Sequence, residues 1–166
     1  MIEKLQEIIL IMGVSGCGKT TVGKLLAERL DAKFIDADSF HPASNINKMS
    51  RYEPLDDSDR WPWLDSVSDA IHMKTKLSYT VLACSALKQN YRARLKIGKN
   101  PIIFLTGPRK TIESRLASRQ KHFMPNQLLE SQIADLEPPK NAIQVSIIDT
   151  PMEIVTHIIN SLSLEK

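Results

Sequence analysis

The segment Ile8-Ile9-Leu10-Ile11-Met12-Gly13-Val14-Ser15-Gly16-Cys17-Gly18-Lys19-Thr20-Thr21 decides the fold. Ile8 to Met12 is an uninterrupted apolar run that ends at a glycine, the pattern of a short strand buried on both faces. Gly13 to Thr20 then matches G-x-x-x-x-G-K-[ST] at every specified position. Beyond it, Lys19 to Leu30 places Val22, Leu25, Leu26 and Leu30 on one helical face. Strand, glycine-rich turn and helix in that order make an anion cradle. The turn's N–H groups point inward, and the helix N-terminus adds positive potential. Gly13, Val14, Ser15, Gly16, Cys17, Gly18, Lys19, Thr20 and Thr21 are thus the candidate nucleotide-contacting residues. Lys19 has the reach for the β- and γ-phosphates of a triphosphate such as ATP, and the Thr20 hydroxyl suits Mg²⁺. The motif does not say what receives the phosphate.

Working outward, the same alternation recurs. Phe34-Ile35, Thr80 to Cys84, Ile102 to Leu105 and Val145 to Asp149 read as four more short strands. Amphipathic stretches separate them: Leu64, Val67 and Ile71 after Pro62; Leu87, Tyr91 and Leu95; an arginine-rich stretch from Thr111 to Gln120; and Leu128 to Leu136. Thr150 stands three residues before Glu153 with Pro151 between them, a capping box with proline at the first helical position. Ile154, Val155, Ile158, Ile159 and Leu162 give this last helix its buried stripe. The expectation is a single α/β domain over 1–166, with a parallel five-stranded sheet covered on both faces. The stretch 37–62 reads as a polar, irregular insertion of the kind that carries function. Pro62 reads as a first-turn proline.

Composition removes several classes. With 166 residues, 42% hydrophobic and 25% charged, the chain is long enough to bury a core and ordinary in its balance. The longest apolar run is far short of the roughly 20 residues of a membrane span, so a membrane protein is not expected. Two cysteines, Cys17 and Cys84, lack CxxC spacing, which argues against a disulfide scaffold and for a cytoplasmic chain with reduced thiols. A net charge of +3 is too small to indicate nucleic acid.

Asp36 and Asp38 follow the second strand, where open α/β sheets bind ligands. Two carboxylates there divide the labour: Asp36 toward the Mg²⁺ shell and Asp38 toward an acceptor hydroxyl. His41-Pro42-x-x-Asn45-x-x-Lys48-Met49, then Pro54-Leu55, then Asp59-Arg60-x-Pro62-Trp63-Leu64 resemble the gluconate kinase (gluconokinase) family. Cys84-Ser85-Ala86-Leu87-Lys88-x-x-Tyr91-Arg92 is similar to that family's second block. Arg115-Leu116-x-x-Arg119-x-x-His122-Phe123-Met124-Pro125, Leu128-Leu129-x-Ser131-Gln132 and Leu136-Glu137-x-Pro139 are similar to its third. The blocks follow in order over essentially the whole chain. Two positions depart from the pattern. Ala37-Asp38 stands where the family usually has Gly-Asp, and Arg51-Tyr52-Glu53 replaces a segment carrying a glycine, which puts local turn geometry in question.

The resemblance implies a three-layer P-loop NTPase fold of the nucleoside-monophosphate-kinase type, with a helical lid over about 115–138 and a substrate-binding insertion over about 38–64. It implies ATP-dependent phosphorylation of D-gluconate at its 6-hydroxyl in carbohydrate acid catabolism, with Mg²⁺, by a homodimer. A polyol carrying one carboxylate needs cations and hydroxyl partners. Arg60, Lys88, Arg92, His41 and His122 supply the first, and Asp38, Asn45, Ser85 and Gln132 the second, with Lys48 in the same block. Lys19, Asp38, Arg115 and Arg119 form the candidate catalytic set. Asp38 is the candidate base, and the two arginines lie one helical turn apart where they can stabilise the transferring group. Two alternatives stay open: a kinase of the same fold acting on shikimate or a nucleoside monophosphate, and a non-catalytic ATP-binding switch. Shikimate kinases typically carry Gly-Gly-x-Gly, and this sequence has no Gly-Gly pair.

Overall fold

The computed structural model describes residues 7–119 and 126–164. Its strands are β1 (Glu7–Met12), β2 (Lys33–Asp36), β3 (Tyr79–Ala83), β4 (Ile102–Thr106) and β5 (Ile143–Ser146). Its helices are α1 (Lys19–Leu30), α2 (Ala43–Ser50), α3 (Asp57–Ile71), α4 (Gln89–Arg94), α5 (Arg109–Ser118), α6 (Asn126–Asp135) and α7 (Pro151–Ser161), with a 3₁₀ turn over Ala37–Phe40.

All strand pairs are parallel, in the order β2-β3-β1-β4-β5. β1 is central because its apolar run can be buried from every side: Ile9, Leu10, Ile11 and Met12 are wholly inaccessible. Truncating one such residue to alanine costs about 2–5 kcal/mol. Right-handed crossovers assign the helices to faces. The step from β1 to β2 runs opposite to every later step, so α1 lies on one face and α3, α4 and α5 on the other. α7 packs on α1 and on β5, and α3 packs on α4. The strand order reverses at β1, so the crevice beyond the carboxyl ends of β1 and β3 is where such a sheet binds its ligand.

The insertion is more ordered than its composition suggests. Residues 43–50 form a helix, and α3 begins at Asp57, five residues before Pro62. The start is set by a capping box: Asp56 accepts from the Asp59 N–H, and Asp59 accepts from the Asp56 N–H. Those paired bonds hold the first turn, so Pro62 lies inside the helix and its missing N–H costs one ladder bond near the start. The last strand also shifts: β5 covers Ile143–Ser146, not Val145–Asp149. Ile147 is still fully buried and donates its N–H to the Thr106 carbonyl. The capping box of α7 is as expected, with Thr150 and Glu153 exchanging hydrogen bonds.

The two departures from the family pattern have different consequences. Ala37 has no positive φ and is buried at the start of its turn, so it accommodates the backbone without strain. Tyr52 ends α2 with φ 60, the left-handed region that favours glycine. The Glu53 N–H reaches back to the Lys48 carbonyl, as a helix closed by a left-handed residue requires. Tyr52→Gly relieves that strain, since its side chain is half exposed and fills no core. The expected gain is about 0.5–1 kcal/mol in urea unfolding, net of the glycine entropy.

Candidate active site

β1 ends at Met12, and the chain turns through Gly13 to Gly18 into α1. Gly13, Gly16 and Gly18 have φ of 150, 85 and 93, and the turn cannot be made otherwise. A Cβ on Gly13 would lie 2.6 Å from Cys17 Sγ and 2.8 Å from the Leu105 carbonyl oxygen, and one on Gly16 2.8 Å from the Leu116 side chain. The loop is thus packed from behind and open in front. Lys19 folds its Nζ onto the Val14 carbonyl at 3.1 Å, which holds the ammonium over the cradle. Cys17 is buried in the loop wall. Cys84 is also buried, which pushes its thiol up to about 12.

Thr20 Oγ1 donates to Asp36 Oδ2 at 3.2 Å, and the other Asp36 oxygen accepts the Asp38 N–H at 3.0 Å. This bond caps the 3₁₀ turn and, with the Thr20 bond, fixes the Asp36 carboxylate at the end of β2. Two hard oxygen donors beside a phosphate loop fit Mg²⁺, which keeps several waters and takes few protein ligands. Ser15, Gly16, Gly18, Lys19 and Thr20 line one cleft with Asp36, Asp38, Ala83 and Arg119. Three of the four candidate catalytic residues therefore share a single concave surface. Arg115 is the fourth: a Cβ on Gly18 would lie 3.7 Å from its Nη1, and its Nη2 donates to the Ile147 carbonyl at 2.6 Å. Arg119 follows the last residue of α5 with extended backbone, so the two arginines approach from a helix and its exit, not from one helical face. A larger, open hollow along α5 is lined by Lys110, Thr111, Ser114, Arg115 and Ser118, without a carboxylate, and shares no lining residue with the cleft.

The acceptor side is a chain of directed bonds. Asn45 Nδ2 donates to the Asp59 carbonyl at 2.9 Å and lies 3.2 Å from His41 Nδ1. An amide nitrogen only donates, so with this amide orientation Nδ1 accepts and Nε2 carries the proton of the neutral ring. That Nε2 lies 3.8 Å from Asp38 Oδ1. The ring stacks on Trp63 at 4.2 Å, and the Trp63 indole donates to the Ala37 carbonyl. Asp38 itself is solvent-facing, with its side chain 76% exposed. Lys48 donates to Asp59 at 2.7 Å, tying α2 to α3.

Arg60 is buried, and its Nη1 donates to Tyr91 Oη at 2.8 Å and to Asp135 at 3.1 Å. Lys88 pairs with Asp57 at 3.1 Å and lies 3.8 Å from Asp135. Arg92 is occupied by the backbone: it donates to the carbonyls of Ala86, Leu87 and Glu137. Ala86 has φ 44, so this clamp holds a strained turn beside Ser85. The geometry makes Arg92 a positioning residue rather than a ligand contact. Gln132 closes on the phosphate loop, accepting the Ser15 N–H at 2.8 Å and donating to Ser15 Oγ at 3.2 Å. His122 lies outside the described residues. Trp63, Tyr91, Asp57 and Asp135 were not among the expected site residues. Tyr91 lies three residues after Lys88, a spacing that puts both on one face. Asp135 has no local signal at all.

His41 carries a pH signature. Burial holds its pKa below the ordinary 6.5, and Arg60 acts in the same direction, while Asp38 opposes both. The unfolded chain therefore takes up this proton first. Its contribution is complete above pH 6.5 and is lost as pH falls from 6.5 through the lower folded value. His41→Phe keeps the stack on Trp63 without a titrating ring. The drop in urea midpoint between about pH 7.5 and pH 5.5 is expected to be smaller in this variant than in the wild type.

The comparisons with known proteins agree with this geometry. The shikimate kinase family model matches residues 15–162. A thermosensitive gluconokinase of Escherichia coli (strain K12) is 47% identical, over 81% of this chain and 73% of its own length. A probable gluconokinase of Xenopus tropicalis is 42% identical, over 89% of this chain and 87% of its own. The crystal structure of a gluconokinase from Sinorhizobium meliloti 1021 superposes with a TM-score of 0.84 at 36% identity, covering 95% of this chain and 91% of that one. Among the described residues no helix is long and apolar enough to cross a membrane. A phosphate loop at the switch point of a parallel sheet, two carboxylates facing it and relatives of this extent place the chain in the shikimate kinase family of P-loop kinase domains and, within that fold, in the gluconokinase family of phosphotransferases.

Proposed function

We infer that the protein catalyses ATP-dependent phosphorylation of D-gluconate at its 6-hydroxyl, giving 6-phosphogluconate and ADP. The observation that carries the reading is the shared cleft of Lys19, Thr20, Asp36, Asp38 and Arg119 in a chain of the gluconokinase family. ATP supplies the phosphoryl group, and Thr20 with Asp36 would hold its Mg²⁺. The loop N–H groups and Lys19 orient the phosphates, and Arg115 and Arg119 offset charge that develops on the transferring group. Asp38 orients the attacking hydroxyl and accepts its proton, and His41 stands behind it. Phosphoryl transfer has a loose transition state, so alignment by Asp38 counts for at least as much as proton removal. A switch protein would need the loop but not Asp38, Lys88 and two arginines together.

We read 38–64 as the acceptor-binding segment and 115–138 as the lid that excludes water during transfer. The same family reading carries a homodimer, which sedimentation velocity checks, and a cytoplasmic location.

The test is ADP release with ATP and Mg²⁺ against gluconate, other aldonic acids, shikimate, AMP and no acceptor. A rate that requires gluconate is expected. Acceptor-independent hydrolysis, or a rate with shikimate or AMP in its place, would exclude the reading. Asp38→Asn is expected to lower kcat by about 10²-fold or more with the KM for ATP nearly unchanged. Near-normal turnover would remove Asp38 from the base role.

A further inference from the structure

Two cations and a phenol converge on the acceptor side, and carboxylates of the chain itself occupy them. Arg60 from α3 and Lys88, the residue that precedes α4, both face Asp135 in the last turn of α6: Arg60 Nη1 to Oδ2 at 3.1 Å, Lys88 Nζ to Oδ1 at 3.8 Å. Tyr91 accepts from Arg60 and donates to Asp57, which also holds Lys88. Each Asp135 oxygen thus faces a different cation, the arrangement in which a free carboxylate is recognised.

Three features separate this cluster from a plain structural ion pair. It adjoins the Asp38 side of the site, since Arg60 follows Asp59, whose carbonyl accepts from the Asn45 amide that also reaches the His41 ring beside Asp38. It is open to solvent on one side: the Asp135 and Lys88 side chains are 26% and 28% exposed, against 10% for Arg60. The chain beside it is also anchored independently. The Glu137 N–H donates to the Leu87 carbonyl at 2.8 Å, its carboxylate accepts the Gln89 N–H, and its carbonyl accepts from Arg92. Asp135 is therefore not needed to fasten α6 to α4. Its side chain can rotate out while the backbone stays in place.

We propose that Asp135 is a built-in competitor: it occupies the cluster of Arg60, Lys88 and Tyr91, where the family reading already places the acceptor's carboxylate, until an acid acceptor displaces it. The inference rests on the acid-acceptor reading above and adds a specificity device to it. An uncharged polyol cannot exchange with Asp135, because Arg60 would be left buried without a counter-charge. An acid acceptor restores the pairing it breaks. The chain thus accepts acids over neutral sugars at the cost of some affinity for the acid itself.

The experiment is isothermal titration of the nucleotide-free protein with D-gluconate and, separately, with shikimate, together with steady-state kinetics, for the wild type, Asp135→Asn, Asp135→Ser and Lys88→Met. Asn and Ser remove the competing charge in different shapes, so at least one folded variant is expected. Gluconate binding is expected to tighten about 3–10-fold in the Asp135 variants, with KM for gluconate falling and KM for ATP unchanged. Lys88→Met is expected to raise KM for gluconate at least tenfold with the KM for ATP unchanged. In a wild type that turns over gluconate, unchanged or weaker gluconate binding in a folded Asp135 variant, or an unaltered gluconate KM in Lys88→Met, would overturn the subsite. Failure of the gluconate reading is distinguishable. A wild type that turns over no gluconate, while either acid binds more tightly to the Asp135 variants, sinks the gluconate assignment and upholds the carboxylate subsite. No tightening for either acid overturns the subsite whatever the turnover.

Discussion

The structure depends on one constraint: the backbone N–H groups at the start of α1 must be left unpaired and facing outward. Helix termini ordinarily satisfy such groups with a side-chain cap, and α1 has none, since Gly18 occupies the cap position. That exposure is tolerable only because the loop is braced from behind by Cys17, Leu105, Ile112 and Leu116. The brace requires β1 at the centre of the sheet, with β4 on one side to supply Leu105 and α5 above it. The fully buried β1 and the polar loop that follows it are two ends of one device. One is apolar from Ile8 to Met12, and the other leaves the start of α1 without a side-chain cap.

From this loop, polar bonds run outward in two directions. One passes through Thr20 to Asp36, through the Asp38 N–H, then to His41, Asn45 and the backbone carbonyl of Asp59. The bond from the Asp38 N–H that closes the turn after β2 therefore also aims the Asp36 carboxylate. The other direction passes from Ser15 to Gln132 and along α6 to Asp135, which returns to Arg60 of α3. α6 bridges the nucleotide side and the acceptor side through Gln132 and Asp135, which lie within one helical turn.

Much of the fold was legible because local signals and the global arrangement agree. The apolar runs that became β1, β3 and β4 are short and uninterrupted, as strands buried on both faces must be. Thr150, Pro151 and Glu153 mark the start of α7 by chemistry that needs no tertiary context. The misreadings came from competing local signals. Pro62 looked like a helix start, yet Asp56 and Asp59 form a capping box that begins α3 earlier. Val145 to Asp149 looked like a strand, yet the pairing of Ile103 to Thr106 with Ile143 to Ser146 sets the register. The site divides the same way. The loop residues, Asp36 and Asp38 were readable from spacing, whereas the clamp role of Arg92 was not. An arginine's five donors look alike in sequence, and only the fold shows that backbone carbonyls take three of its bonds.

By itself the sequence determined the parallel α/β class, the phosphate loop and the helix that opens from it, because these are written in contiguous residues whose spacing is their chemistry. It also determined the acceptor side's residue types, through motif blocks that need no three-dimensional context to be compared. Only the tertiary structure decided which of those residues meet. Asp135 reaches Arg60 across 75 positions of chain, and Gln132 reaches Ser15 across 117. Such pairings depend on crossover handedness and helix packing over the whole domain. No local pattern encodes a contact whose two halves are specified by separate elements.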